Sequence, residues 1–122
     1  MVDDFAPWRQ FVNSRFQGQS RFQVIGIASD GLEAVQKAEE LRPDLVLMDV
    51  GLPKLNGIEA ARQILKIMPN SKILFLSQNL DPDVARSALA AGAKGYVTKS
   101  DAHKELLTAV MKVVSVDQYV SR

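Results

Sequence analysis

Cysteine is absent from this 122-residue chain, which excludes a disulfide scaffold, a thiolate metal site and a cysteine nucleophile. An excess of one charge sign is missing too. Fifteen Lys and Arg stand against fourteen Asp and Glu, net +1, so composition gives no footprint for nucleic acid or an anionic membrane. No apolar run approaches transmembrane length, and the N-terminus lacks the apolar stretch of a signal peptide. A soluble cytoplasmic protein is the expectation. Histidine is represented once, by His103, in the first turn of an expected surface helix, where it is read as solvated. What is present is an ordinary globular composition, 47% hydrophobic and 24% charged, in a chain long enough to bury one core.

Strand-like and helix-like segments alternate, without internal repeats. Phe5, Trp8, Val12 and Phe16 recur at near-helical spacing around Pro7, a suitable first-turn residue. Phe22 to Ala28 reads as a strand. Asp30-Gly31 opens a second helix with Leu32, Val35, Ala38 and Leu41 on one face, closed before Pro43. The apolar run Leu45 to Met48 follows. A turn through Pro53 and Asn56-Gly57 then leads to a third helix with Ile58, Ala61, Leu65 and Met68 inward. Ile73 to Leu76 is a further strand, and Asp81-Pro82 starts an alanine-rich helix running to Gly92. Gly95 to Thr98 is the last strand of the pattern. Ser100 or Asp101 caps a final helix bearing Leu106, Leu107, Val110, Val113 and Val114.

Strands that are apolar throughout belong to a sheet buried on both faces, with helices as crossovers. The expected fold is therefore α/β, doubly wound and parallel. Only Met1 and Val2 precede the acids Asp3-Asp4, fewer than the roughly five residues of an ordinary strand. Either the first strand is a stub or the chain is a shortened form of a natural one.

Asp49 stands directly after Leu45-Val46-Leu47-Met48, at the carboxyl end of a buried strand, where open α/β sheets bind their ligands. An Asp there can also serve a turn or a cap. The turn that follows and the other polar groups at strand ends favour a site. Asp3 and Asp4, taken alone, are an exposed charged terminus; beside Asp49 they become oxygen donors for a hard cation. Lys99 ends the run Gly95-Tyr96-Val97-Thr98 and, next to carboxylates, is a counter-charge for a phosphoryl oxygen. Ser77 ends Ile73-Leu74-Phe75-Leu76 and offers either a local cap or a hydrogen bond to a bound phosphoryl group. Tyr96 reads as core.

In this order the residues resemble the receiver domain of two-component response regulators. The acids Asp3-Asp4 come first, then Asp49 in Leu-Val-Leu-Met-Asp, Pro53, Gly57, the hydroxyl Ser77 and Lys99. The stretches Asp30 to Ala34, Arg42 to Asp49 and Gly92 to Lys99, with the tail Tyr119-Val120-Ser121, are similar to the NarL/FixJ-type branch. The likeness covers nearly the whole chain. It implies a flavodoxin-like five-stranded sheet in the order 2-1-3-4-5 with five helices. Residues 1–116 form the receiver, and 117–122 begin a linker to an output domain.

The resemblance further implies a phosphoaccepting signalling switch, rather than an enzyme acting on other substrates. Asp49 takes a phosphoryl group from a sensor histidine kinase in a Mg²⁺-dependent transfer. Asp4, Asp49 and the Gly51 carbonyl ligate Mg²⁺, Asp3 acts through water, and Lys99 and Ser77 meet the phosphoryl group. Tyr96 turns inward, biasing a surface made by the fourth helix, fifth strand and fifth helix. Homodimerisation on phosphorylation and control of transcription through a helix-turn-helix output domain are implied. This domain itself touches neither nucleic acid nor membrane. The chain departs from the family pattern at the short first strand, at Gln78 after Ser77, at Ser100 after Lys99 and at Gly51.

Three other readings compete. A pseudo-receiver would act by protein contact without phosphorylation, favoured by the stub strand and Gln78. An aspartyl phosphatase of the haloacid-dehalogenase type needs a second Asp two residues past the nucleophile, where Gly51 stands. A flavin-binding module needs a phosphate loop after the first strand, where Asp3-Asp4-Phe5-Ala6-Pro7 places negative charge.

Overall fold

A computed structural model describes residues 1–19, 21–78 and 81–115, together with the backbone of 119–120. The elements in chain order are α1 (Ala6–Phe16), α2 (Gly31–Leu41), β1 (Leu45–Met48), α3 (Gly57–Ile67), β2 (Lys72–Ser77), α4 (Pro82–Ala90), β3 (Gly95–Thr98), α5 (Lys99–Ser115) and β4 (Tyr119–Val120). The strands pair in parallel in the order β1-β2-β3-β4, with Met48 opposite Phe75 and Ser77 opposite Thr98.

The two leading positions of the expected sheet are reduced to single bridges. Val2 pairs in parallel with Ala28 on one side and Met48 on the other. The Val2 amide donates to the Leu47 carbonyl and the Asp49 amide to that of Val2, while the Ala28 amide donates to the Met1 carbonyl. The spatial order Ala28, Val2, β1, β2, β3 thus preserves 2-1-3-4-5. The continuous strand expected over Phe22–Ala28 does not form; among the described residues, its backbone upstream of Ala28 meets the sheet only at Met1. A cleft of about 420 Å³, lined by Val24, Ile27, Leu41, Leu45 and Val46 among others, opens beside that interrupted edge. Of the segment 117–122 expected as linker, Tyr119–Val120 extend the sheet beyond β3; residues 117, 118, 121 and 122 lie outside the described residues.

Because β side chains alternate, the buried strands feed two cores. Val46, Met48, Ile73, Phe75 and Tyr96 pack with Ala34 and Ala38 of α2, Ala60, Ala61 and Ile64 of α3 and Ala88 of α4. Leu47, Leu74, Leu76 and Val97 pack on the other face with Trp8, Val12 and Phe16 of α1 and with Leu106, Ala109, Val110 and Val113 of α5. The sheet is therefore covered on both sides, as apolar strands require. Helix starts follow their caps: Asp30 accepts from the Glu33 amide, Asn56 from Glu59 and Asp81 from Asp83.

Several side chains depart from the spacing argument. Phe5 precedes α1 and is 58% exposed, while Leu32 of α2 is 55% exposed and Leu41 is exposed as well. Ala38 is buried as expected, and Ala34, rather than Leu32 or Leu41, is buried beside it on that helix. The last helix begins at Lys99, earlier than Ser100 or Asp101, and the Thr98 hydroxyl accepts from the Asp101 amide. Among the described residues, no helix is long and apolar enough to cross a membrane.

Candidate functional site

The polar residues converge where β1, β2 and β3 end. Val2 locks the Asp3-Asp4 pair beside β1 through its two bridges, and the Asp3 amide donates to the Ala28 carbonyl. Asp49 follows β1, Ser77 closes β2 and Lys99 opens α5 directly after β3. One donor oxygen each from Asp3, Asp4 and Asp49 lie within 4.8 Å of one another. Asp3 is 2% exposed, Asp49 is partly buried and Asp4 faces solvent.

Lys99 joins the acids. Its Nζ donates to Asp3 Oδ2 at 2.7 Å and stands 3.8 Å from Asp49 Oδ2. The other Asp3 oxygen accepts from the Phe5 amide at 2.9 Å, and the Asp3 carbonyl accepts from Arg9. The Gly51 amide donates to Asp49 Oδ1 at 3.3 Å, so this exposed glycine turns the chain back toward the acid it follows.

Burial drives the Asp49 carboxyl above the ordinary value of 3.8; Lys99 opposes that rise, Asp3 adds to it, the Gly51 amide opposes it and Asp4 adds to it. The site thus gathers more negative charge than its lysine offsets. Three hard oxygen donors in that state suit Mg²⁺, which prefers oxygen ligands and keeps several waters.

Gly57 admits the start of α3 to this pole. A Cβ there would collide with the backbone carbonyl oxygen of Asp49, and the Gly57 amide donates to the Val50 carbonyl at 2.8 Å. Gly31 similarly lets α2 meet the carbonyl of Leu55 in the loop after Pro53. Ser77 is buried at the end of β2, and Gln78 beside it is exposed. Tyr96 is only 3% exposed and packs in the core with Phe75, across the ladder from it. His103 is exposed, as expected, yet its ring lies 4.6 Å from that of Phe11 and edge-on to Trp8 at 6.1 Å.

One neighbour escapes the spacing argument. The Trp8 ring centroid lies 5.0 Å from Lys99 Nζ, although helical periodicity marks Trp8 only as core. Two residues so far apart in sequence meet because α1 and β3–α5 converge on one pole of the sheet.

Comparison with known proteins bears on this arrangement. Residues 1–111 match the family model of the response regulator receiver domain. The response regulator protein VraR of Staphylococcus aureus is 38% identical over 111 residues, 91% of this chain and 53% of VraR. The chain therefore spans about half the length of that relative. A two-component response regulator of the LuxR family from Aurantimonas sp. SI85-9A1 superposes with TM-score 0.92 at 33% identity, covering 97% of this chain and 84% of that one. The CheX-CheY-BeF3-Mg complex from Borrelia burgdorferi gives 0.85 at 29% identity, covering 92% of this chain and 84% of the neighbour.

Proposed function

This chain belongs to the response regulator receiver domain family, and on that premise we propose that Asp49 is its phosphoacceptor. The donor is a phosphohistidine on a sensor histidine kinase. The observation that carries the reading is the set of three carboxylates within 4.8 Å, with Lys99 Nζ at 2.7 Å from Asp3 and 3.8 Å from Asp49.

In this reading Asp4, Asp49 and the Gly51 carbonyl hold Mg²⁺ and Asp3 acts through water. The relative solved with BeF3 and Mg supports such a site by likeness. The chemistry a bound Mg²⁺ supplies is charge neutralisation at the acceptor and the phosphoryl oxygens. An Asp49 carboxylate oxygen forms the new bond to phosphorus as the phosphorus–nitrogen bond of the donor breaks, and the released imidazole takes up a proton. Lys99 supplies positive charge at the transferred group, already in place before transfer. The Ser77 hydroxyl closes β2 close to the same pole and donates a hydrogen bond to the phosphoryl group.

The readout is a change of surface around α4, β3 and α5. Tyr96 turns inward as part of that change, and phosphorylation biases the equilibrium toward this state. Homodimerisation on phosphorylation belongs to this proposal. So does control of transcription through a helix-turn-helix output domain of the whole protein, as the likeness to LuxR-family regulators suggests.

The test is intact mass after incubation with acetyl phosphate and Mg²⁺, with and without a chelator. A metal-dependent gain of one phosphoryl group, absent in Asp49→Asn, is expected. Stoichiometric phosphorylation of the Asn variant would overturn the site. No gain in folded wild-type protein would favour a pseudo-receiver acting by contact alone.

A further inference from the structure

Lys99 stands between two acids at unequal distances, 2.7 Å from Asp3 and 3.8 Å from Asp49. Its ammonium is hydrogen-bonded to Asp3, the nearer and more deeply buried carboxylate, and faces Asp49 across the longer gap. A lysine on a flexible four-carbon stem has no planar fork to fix its direction. A further contact can therefore set which way the ammonium points while it is bonded to Asp3.

The structure supplies a third anchor. Trp8 of α1 presents its ring to Lys99 Nζ at 5.0 Å from the centroid, inside the range of a cation–π attraction. Both partners are shielded from water, Trp8 being buried and the Lys99 side chain 11% exposed, so the attraction is little screened. The indole is itself fixed from two helices. Phe11 of α1 stacks on it, tilted 34° at 4.9 Å between centroids, and His103 of α5 meets it edge-on at 87°. A leucine at the same place would fill the core beneath α1 but offer the ammonium no negative face.

We propose that Trp8 is a positioning residue for phosphoryl transfer, its ring fixing the direction of the Lys99 ammonium, bonded to Asp3, so that positive charge already faces the acceptor 3.8 Å away. The inference rests on Asp49 being the phosphoacceptor. Trp8 contacts neither donor nor acceptor; it acts through Lys99. Pre-placed charge of this kind lowers the barrier because no reorganisation is needed at the moment of transfer.

The chain contains one tryptophan, so fluorinated tryptophan can be placed at position 8 alone by biosynthetic incorporation. Successive fluorine atoms drain the negative face of the ring while barely changing its shape. The rate of Mg²⁺-dependent phosphorylation by acetyl phosphate should fall stepwise with fluorine number, while the melting temperature moves by no more than the few degrees that loss of one such contact allows. Trp8→Phe should keep most of the rate, and Trp8→Leu should lose about five- to tenfold, the factor expected of a partly desolvated cation–π contact of roughly 1–1.4 kcal/mol.

A readout without metal or donor accompanies this. The Lys99 ε-methylene protons should be shifted upfield by the indole ring current in wild type and return to ordinary values in Trp8→Leu. A rate indifferent to fluorination would overturn the proposal even if Trp8→Leu fails to fold. So would unshifted Lys99 protons in wild type. If wild-type protein takes up no phosphoryl group, the phosphoacceptor reading itself fails, a result separate from a phosphorylated protein that ignores its ring.

Discussion

At the scale of single residues, Asp49 carries the conflict from which the function is built. Its burial and the nearby Asp3 and Asp4 favour the protonated form, while Lys99 and the Gly51 amide favour the ion, and burial prevails. A carboxyl whose pKa is raised on folding binds its proton more tightly in the native state than in the unfolded chain. Its ionised form therefore costs native stability once the pH passes the raised value, and costs nothing below the ordinary 3.8. Asp49→Asn is expected to melt a few degrees above wild type at neutral pH without metal, the gain vanishing in acid. Melting curves across pH check this, and an Asn variant less stable than wild type at neutral pH would contradict it. The same ionisation limits reactivity, so phosphorylation should decline on acidification sooner than an unperturbed Asp would allow. Lys99 has the opposite character. Removing its ammonium leaves Asp3 charged and nearly water-free, and breaking such a pair typically costs about 3–5 kcal/mol. Lys99→Met should lower chemical-denaturation stability by an amount in that range, and a loss under about 1 kcal/mol would mean that Asp3 is solvated after all, as at a surface pair.

At the scale of elements, what matters is how closely α3 approaches the end of β1. Gly57 makes that approach possible, since a methyl group there meets the Asp49 carbonyl oxygen, which is backbone and cannot swing aside. Gly57→Ala should cost about 1–3 kcal/mol through forced backbone displacement. Because the displaced group is the peptide of the proposed acceptor, phosphorylation should slow as well. Denaturation and the mass assay read the two effects, and a Gly57→Ala protein with wild-type values in both would show that the loop yields freely. This element was legible before the fold was known: Asn56 caps it, Gly57 opens it, and the apolar spacing closes before Pro69. The strands Leu45–Met48 and Gly95–Thr98 were equally plain, being too short and too apolar for surface helices. The failures share a cause. Phe22–Ala28 has strand-like composition, yet a strand exists only through its neighbour, and the neighbour available here reaches only its end. Leu32 carries the apolar signature of its helix, yet Ala34, beside the expected Ala38, is the residue buried in the core shared with α3. Trp8 was legible as core but not as a partner of Lys99, because no local pattern encodes which face of a buried ring a distant cation will meet.

At the scale of the whole molecule, the fold separates mechanical support from chemistry. Two apolar cores, one under α1 and α5 and the other under α2, α3 and α4, hold the sheet rigid, and the charged groups sit at one end of it. The chain as a whole is nearly neutral at net +1, so the local excess of three carboxylates over one ammonium is a property of that pole and not of the surface at large. A divalent cation should consequently recognise the folded molecule far better than the unfolded chain, where Asp3 and Asp49 are separated by a long flexible segment. A ligand that binds only the native state stabilises it by about 1.4 kcal/mol at ten times its dissociation constant. For a domain of this size that corresponds to roughly 5 °C in melting temperature. Mg²⁺ should produce such a rise at a concentration where NaCl of matched ionic strength does not, since screening alone acts weakly on partly buried groups. The rise should shrink in Asp49→Asn, which removes one donor, and shrink in wild type as acid protonates Asp49. Equal shifts from Mg²⁺ and NaCl would show the acidic pole to be a diffuse surface field, and the three carboxylates would then need another explanation for being gathered against the cost that burial imposes on them.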